Sequence, residues 1–162
     1  MLSKKMEDAL NKQLNAEMFS GYLYLSMSAD FETKTLTGFA HWMDVQAKEE
    51  LEHAKKFYHY ILERGGKVKL AQIDAPKNEW DSPLSAFSDA YEHEKKITKS
   101  IYELLELAQQ EKDYATQEML QWFVKEQVEE EAQTQLIVEQ LKLIGDSKNG
   151  WFALDHRLSK RE

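Results

Sequence analysis

The sequence predicts an all-α protein: a four-helix bundle of two antiparallel hairpins joined by one long crossover, followed by a short fifth helix. Three observations carry this expectation. Only two prolines and six glycines occur among 162 residues, so little interrupts helix propagation. Apolar residues recur at three- and four-residue spacing through four long stretches. One extended stretch, residues 67–82, has no helical period and reads as the crossover between two hairpins.

Taken in order, the first helix runs from about Ser3 to Phe31, with Ser3 as N-cap and Met6, Leu10, Leu14, Met18 and Leu25 at helical spacing. Thr33 to Thr37 forms a short polar, β-branched break. The second helix spans about Thr37 to Glu63 and stops at Gly65-Gly66. The crossover follows, containing KVKL and Pro76. Ser82-Pro83 opens the third helix, a capping residue followed by proline at the first helical position, and the helix continues to about Gln110. A brief break at Glu111 to Tyr114 precedes the fourth helix, which ends at Ile144 before Gly145. The tail from Lys148 to about Leu158 carries Trp151, Phe152 and Leu154 and forms the fifth helix. The chain is read as one domain over residues 1–162, with the bundle in 3–144 and the last helix in 148–158.

Composition narrows the function. With 42% hydrophobic and 31% charged residues, the chain has the balance of a soluble globular domain. No apolar run approaches the ~20 residues needed to span a bilayer, so no membrane association is expected. The N-terminal MLSKKMEDALNKQL is amphipathic and lacks the apolar core of a signal peptide. The absence of cysteine excludes disulfides and thiolate ligands and makes the cytoplasm the default compartment. A net charge of −8 disfavours nucleic acid as a partner and suits the handling of cations.

Each apolar stripe is interrupted by a carboxylate. Glu17 falls on the stripe of Leu10, Leu14 and Tyr24. Glu50 falls on that of Met43, Ala47, Ala54 and Phe57, with His53 beside it. Glu94 lies among Ala90, Ile97 and Ile101, and Glu130 follows Phe123 and Gln127. Taken singly, each has an ordinary explanation. Glu50 and His53 suit a solvated i,i+3 pair, Glu94 can pair with Lys95 or Lys96, and VEEEA suits an acidic outer face. Tyr24, Trp42, Tyr91 and Trp122 suit core positions. Four unpaired buried carboxylates, however, would each cost several kcal/mol against a whole-domain stability of about 5–15 kcal/mol. Something must neutralise them.

Helical rise is constant, so residues equally distant from an antiparallel turn lie level. Glu17 and His53 are each eighteen positions from Thr35; Glu94 and Glu130 are each eighteen from Lys112. The four carboxylates therefore meet at one height. Together with Gln127 and His53 they form an oxygen-rich set with one imidazole, suited to iron or manganese more than to tetrahedral zinc. Glu50, central in the set, is the natural bridge between two cations.

These residues resemble the ferritins, and among them the non-haem ferritins of bacteria and archaea. The resemblance covers essentially the whole chain, through NAEMFSGYLYLSM, the EELEHA box, YEHEK and WFVKEQVEEE. It implies a ferritin-like bundle and a di-iron centre with one iron site at Glu17, Glu50 and His53, with Gln127 nearby. The second site is implied at Glu50, Glu94 and Glu130. Tyr24 matches the family's adjacent tyrosine, and Glu49, Glu126, Glu129 and Glu130 stand where a third iron site is built. Haem is not implied, because Leu51 occupies the place of the bacterioferritin methionine and Gln127 and Glu130 replace that family's second Glu-x-x-His box. The implied activity is that of a ferroxidase, taking electrons from Fe(II) to O2 or hydrogen peroxide and storing Fe(III) as mineral. The implied assembly is a homo-oligomeric cage of twenty-four subunits, with the fifth helix lining its four-fold axes and Trp151, Phe152 and Leu154 packed on neighbours. Two alternatives remain at this point: a non-storage di-iron oxidase or peroxidase on a lone bundle or dimer, and a metal-free structural shell.

Overall fold

The computed structural model describes residues 1–162 and contains five helices and no strand: α1 (Lys4–Thr33), α2 (Thr37–Glu63), α3 (Pro83–Gln110), α4 (Tyr114–Ile144) and α5 (Lys148–Leu158). Caps explain most of the boundaries. The Ser3 hydroxyl accepts from the Met6 backbone N–H at 3.0 Å. Ser82 and Ser85 form a reciprocal capping box ahead of Pro83, and Asp113 accepts from the Thr116 N–H at 3.1 Å. α1 continues two residues beyond Phe31, to Thr33. The two hairpin turns pass through Thr35 (φ 59°) and Lys112 (φ 54°), both in the left-handed region. Those are the positions about which the interior carboxylates are equidistant. No helix is long and apolar enough to cross a membrane.

The crossover has no secondary structure of its own, so its backbone polar groups need partners elsewhere. Two asparagines on α1 supply them. Asn11 donates to the Lys67 carbonyl at 2.9 Å and accepts from the Lys69 N–H at 2.6 Å. One turn later, Asn15 does the same with the Lys69 carbonyl (2.9 Å) and the Ala71 N–H (2.8 Å). The segment is thereby laid along α1 in a fixed register.

The fifth helix seats part of its apolar face on its own bundle. Leu154 and Leu158 are buried in the same apolar cluster as Phe39, Trp42 and Phe87 of their own chain, and Trp151 packs against that cluster. Phe152 alone stays outside, 56% exposed. α2 begins without a side-chain cap of its own; Asp155 of α5 accepts from the Gly38 and Phe39 N–H groups at 2.8 and 2.9 Å. A Cβ at Gly38 would lie 1.8 Å from the Asp155 carbonyl oxygen, so the helices meet this closely only because residue 38 is glycine. Leu25 and Trp122 are also more exposed than their positions suggested.

The apolar core is divided in two. One cluster holds Tyr24, Met27, Phe31, Phe39, Trp42 and Phe87; the other holds Met6, Leu10, Leu14, Phe57, Ile101 and Phe123. Between them, at mid-height of the bundle, lies a polar layer.

Candidate metal centre

That layer contains the four stripe-interrupting carboxylates, all facing inward: Glu17, Glu50 and Glu94 are 1% exposed and Glu130 is 3% exposed. Three sets of ligand atoms come within 4.8 Å of one another: Glu17, Glu50 and His53; Glu50, Glu94 and Glu130; and His53, Glu126 and Glu130. Glu50 belongs to the first two sets. Its Oε2 lies 3.4 Å from His53 Nδ1, and His53 Nε2 lies 3.8 Å from Glu126 Oε1.

The hydrogen bonds around the layer are mostly directed at the carboxylates. Gln13 donates to Glu17 Oε1 at 2.8 Å. The two amide hydrogens of Gln46 reach Glu50 Oε1 and Glu130 Oε2, each at 2.7 Å. Gln127 donates to Glu94 Oε2 at 3.1 Å, which ties it to the second set. The Tyr24 hydroxyl makes a short hydrogen bond to Glu94 Oε1. One buried side-chain oxygen, Glu17 Oε2, accepts from no neighbouring N–H or O–H group. Such an oxygen in a dry interior is unfavourable unless a proton or a metal cation takes it. The donor set of carboxylate oxygens and one imidazole fits hard, oxygen-preferring metals such as iron.

Electrostatics point the same way. Burial first, and then the neighbouring Glu50 charge, pushes Glu17 well above the usual carboxylate range. Burial, followed by Glu94 and Glu130, does the same to Glu50. Glu94 is pushed up to about 7 by burial, against the opposing hydrogen bonds from Tyr24 and Gln127, and Glu130 to about 8 by burial and then by Glu94. Burial and the Glu94 carboxylate raise Tyr24 well above the ordinary phenol value. Without metal, then, the layer keeps protons near neutral pH, and a divalent cation must displace them.

A pH dependence follows, with its sign set by these shifts. In the metal-free protein Glu94 and Glu130 stay protonated to about 7 and 8, while the unfolded chain ionises near 4.5. The folded state therefore holds more protons, and stability falls as pH rises through that window, by roughly 1.4 kcal/mol per pH unit for each carboxyl still protonated. Chemical denaturation in chelator at pH 5.5 and pH 8 measures this. A midpoint that rises across the range contradicts it.

The structure separates the remaining candidates. Glu126 reaches the layer through His53. Glu49 is turned away, its Oε2 held by Arg161 at 2.6 Å, and Glu129 is exposed. His93, inside YEHEK, is half-buried and belongs to none of the three ligand sets: burial, and then Lys96, pushes it down to about 4, and its Nε2 lies 2.7 Å from the Ser20 hydroxyl. Gln13 and Gln46 were not singled out from the sequence. Their signal is local: each precedes a carboxylate by four residues, placing an amide donor on the same helix face.

Known proteins are similar to this chain along its whole length. The family profile of the ferritin-like domain matches residues 7–144. A bacterial non-heme ferritin of Bacteroides fragilis is 46% identical over 161 residues, spanning 99% of this chain and 100% of the relative. One from Staphylococcus aureus is 40% identical over 99% of this chain and 97% of its own. An open-pore ferritin of the hyperthermophilic archaeon Archaeoglobus fulgidus superposes with a TM-score of 0.99 at 54% identity, covering all of both chains. With its buried carboxylate layer, its divided core and these relatives, the chain belongs to the ferritin family.

Proposed function

We propose that the polar layer is a ferroxidase centre serving the iron storage that membership of the ferritins implies. One observation carries the reading: Glu50 is shared by two ligand sets, the first of which contains the unpartnered Glu17 Oε2. Two Fe(II) ions enter as substrate, one at Glu17, Glu50 and His53, the other at Glu50, Glu94 and Glu130. Each gives up one electron, so the pair reduces O2 to hydrogen peroxide with two protons, or hydrogen peroxide to two waters with two protons. Glu94 and Glu130, protonated near neutral pH, release protons inside the site as metal binds. Carboxylate oxygens favour Fe(III) over Fe(II), which pulls the oxidation forward. Tyr24 holds Glu94 in place from the side opposite Gln127. No haem ligand is proposed; Leu51 offers none.

Storage needs an enclosed volume, and the archaeal ferritin structures to which the chain is similar favour a multimeric cage, for which we propose twenty-four subunits in the cytoplasm. Native mass together with Fe(II) oxidation followed by absorbance tests the function. A cage-sized particle that oxidises iron and retains it as mineral is expected. A mass of one or two chains would instead favour a non-storage oxidase, and a cage that never oxidises iron a structural shell.

Glu126 is proposed to begin a third iron site with Glu130, completed by Glu49 and Glu129 once iron draws them in. Substituting Glu126 and Glu129 by alanine together is expected to change the ratio of iron oxidised to O2 consumed and to alter mineral growth, while leaving the paired site loaded. Oxygen-electrode stoichiometry equal to wild type would remove the third site from the scheme.

A further inference from the structure

The C-terminal segment reaches the proposed centre through one side chain. α5 ends at Leu158, and Arg161 folds back onto α2 with its guanidinium 4.2 Å over the Trp42 ring. Its Nη1 donates to the Trp42 carbonyl at 3.2 Å. Its Nη2 donates to Gln46 Oε1 at 2.8 Å and to Glu49 Oε2 at 2.6 Å. Gln46 is fully buried, and its other end donates to Glu50 and Glu130. A continuous chain of hydrogen bonds thus runs from Arg161 through a single amide to two of the carboxylates.

An amide has a donor end and an acceptor end, and nothing in its shape distinguishes them. Guanidinium has donors only, so whatever faces Arg161 must be the amide oxygen. This forces both N–H groups of Gln46 onto Glu50 and Glu130. Turned over, the amide would set its oxygen against two carboxylates and its NH2 against a cation. The same guanidinium holds Glu49 outside the layer.

We propose that Arg161 is a positioning residue for the metal centre: it fixes the orientation of Gln46 and, through it, of Glu50 and Glu130. The inference rests on the ferroxidase reading of the layer. It places part of the centre's control in the last residues of the chain, far from any ligand in sequence.

The test is Co(II) binding to full-length, metal-free protein, followed by titration and by the visible spectrum of the bound ion. On charge alone, removing a cation next to a cation site tightens binding. A positioning role predicts the opposite sign, a loss of roughly tenfold in affinity at the paired site for Arg161→Met, the range typical of partners that orient ligands. Arg161→Lys, which restores a donor to Gln46 Oε1, is expected to recover most of it. In a Gln46→Leu background the Arg161→Met substitution should have no further weakening effect, because the amide it orients is gone. Unchanged or tighter Co(II) binding in Arg161→Met, a lysine variant as weak as methionine, or an equal loss without Gln46 would each overturn the proposal while leaving the centre itself standing. Failure of the wild-type protein to bind Co(II) would overturn the centre and the proposal together.

Discussion

Glu50→Ala is expected to slow rapid iron oxidation by more than roughly 100-fold, a larger loss than that typical of partners which only orient ligands. Glu50 is the carboxylate shared by two of the three ligand sets, so its removal would take an oxygen from each of the two proposed iron positions. The fold should survive. In the metal-free protein Glu50 is pushed well above the ordinary carboxylate range by burial and by Glu94 and Glu130, so at neutral pH folding must take up a proton there, a cost that its removal lifts. Alanine leaves a cavity that offsets part of this gain. The isosteric Glu50→Gln variant avoids the cavity and is expected to be more stable than wild type at pH 8 in chelator. Stopped-flow absorbance after mixing with Fe(II) reads the first effect and denaturation midpoints the second. Oxidation at the wild-type rate in Glu50→Ala would remove the shared carboxylate from the mechanism.

Truncation after Ile144 is the second large effect. It removes Leu154 and Leu158 from the core cluster that they share with Phe39 and Trp42, a loss of roughly 1.5–3 kcal/mol for each buried leucine. It also removes Asp155 from the start of α2, where a lost cap costs about 1 kcal/mol. Against a typical domain stability of about 5–15 kcal/mol this is a severe change, and a melting temperature lower by roughly 10–20 °C is expected. Because every proposed ligand precedes Ile144, the truncated chain should still oxidise iron wherever it remains folded, with the weaker metal binding that the loss of Arg161 brings. Asp155→Ala in the full-length chain isolates the cap and should cost about 1 kcal/mol by itself. Size exclusion and mineral retention show whether assembly depends on the helix or only on the stability it lends. A truncated protein that melts with wild type would mean that α5 adds nothing to its own subunit.

Helix order, the helix boundaries to within about two residues and the meeting of four carboxylates were legible in the sequence because they follow from local rules. Period 3.6 assigns each residue to a face, and constant rise assigns it a height, so Glu17, Glu50, Glu94 and Glu130 could be placed in one layer from their numbers alone. The turns at Thr35 and Lys112 were located as the centres of that symmetry, although nothing in either residue type announces a left-handed backbone. What the sequence did not reveal depends on segments that are distant along the chain and adjacent in space. Leu154 and Leu158 had two surfaces open to them, their own bundle or a neighbour, and only the packed structure shows them seated in the core beside Phe39 and Trp42. Gln46 reads as an ordinary polar residue on α2 until Arg161, 115 positions later, presents a donor to its oxygen. Glu49 likewise differs from Glu50 only in the face it occupies, yet that difference gives it a guanidinium partner at the surface and gives Glu50 a place in two buried sets of candidate ligands. The periodicity of a helix is written into each short stretch of chain. Which of several compatible partners a side chain meets is decided by close packing, where one segment's occupation of a volume excludes all the others.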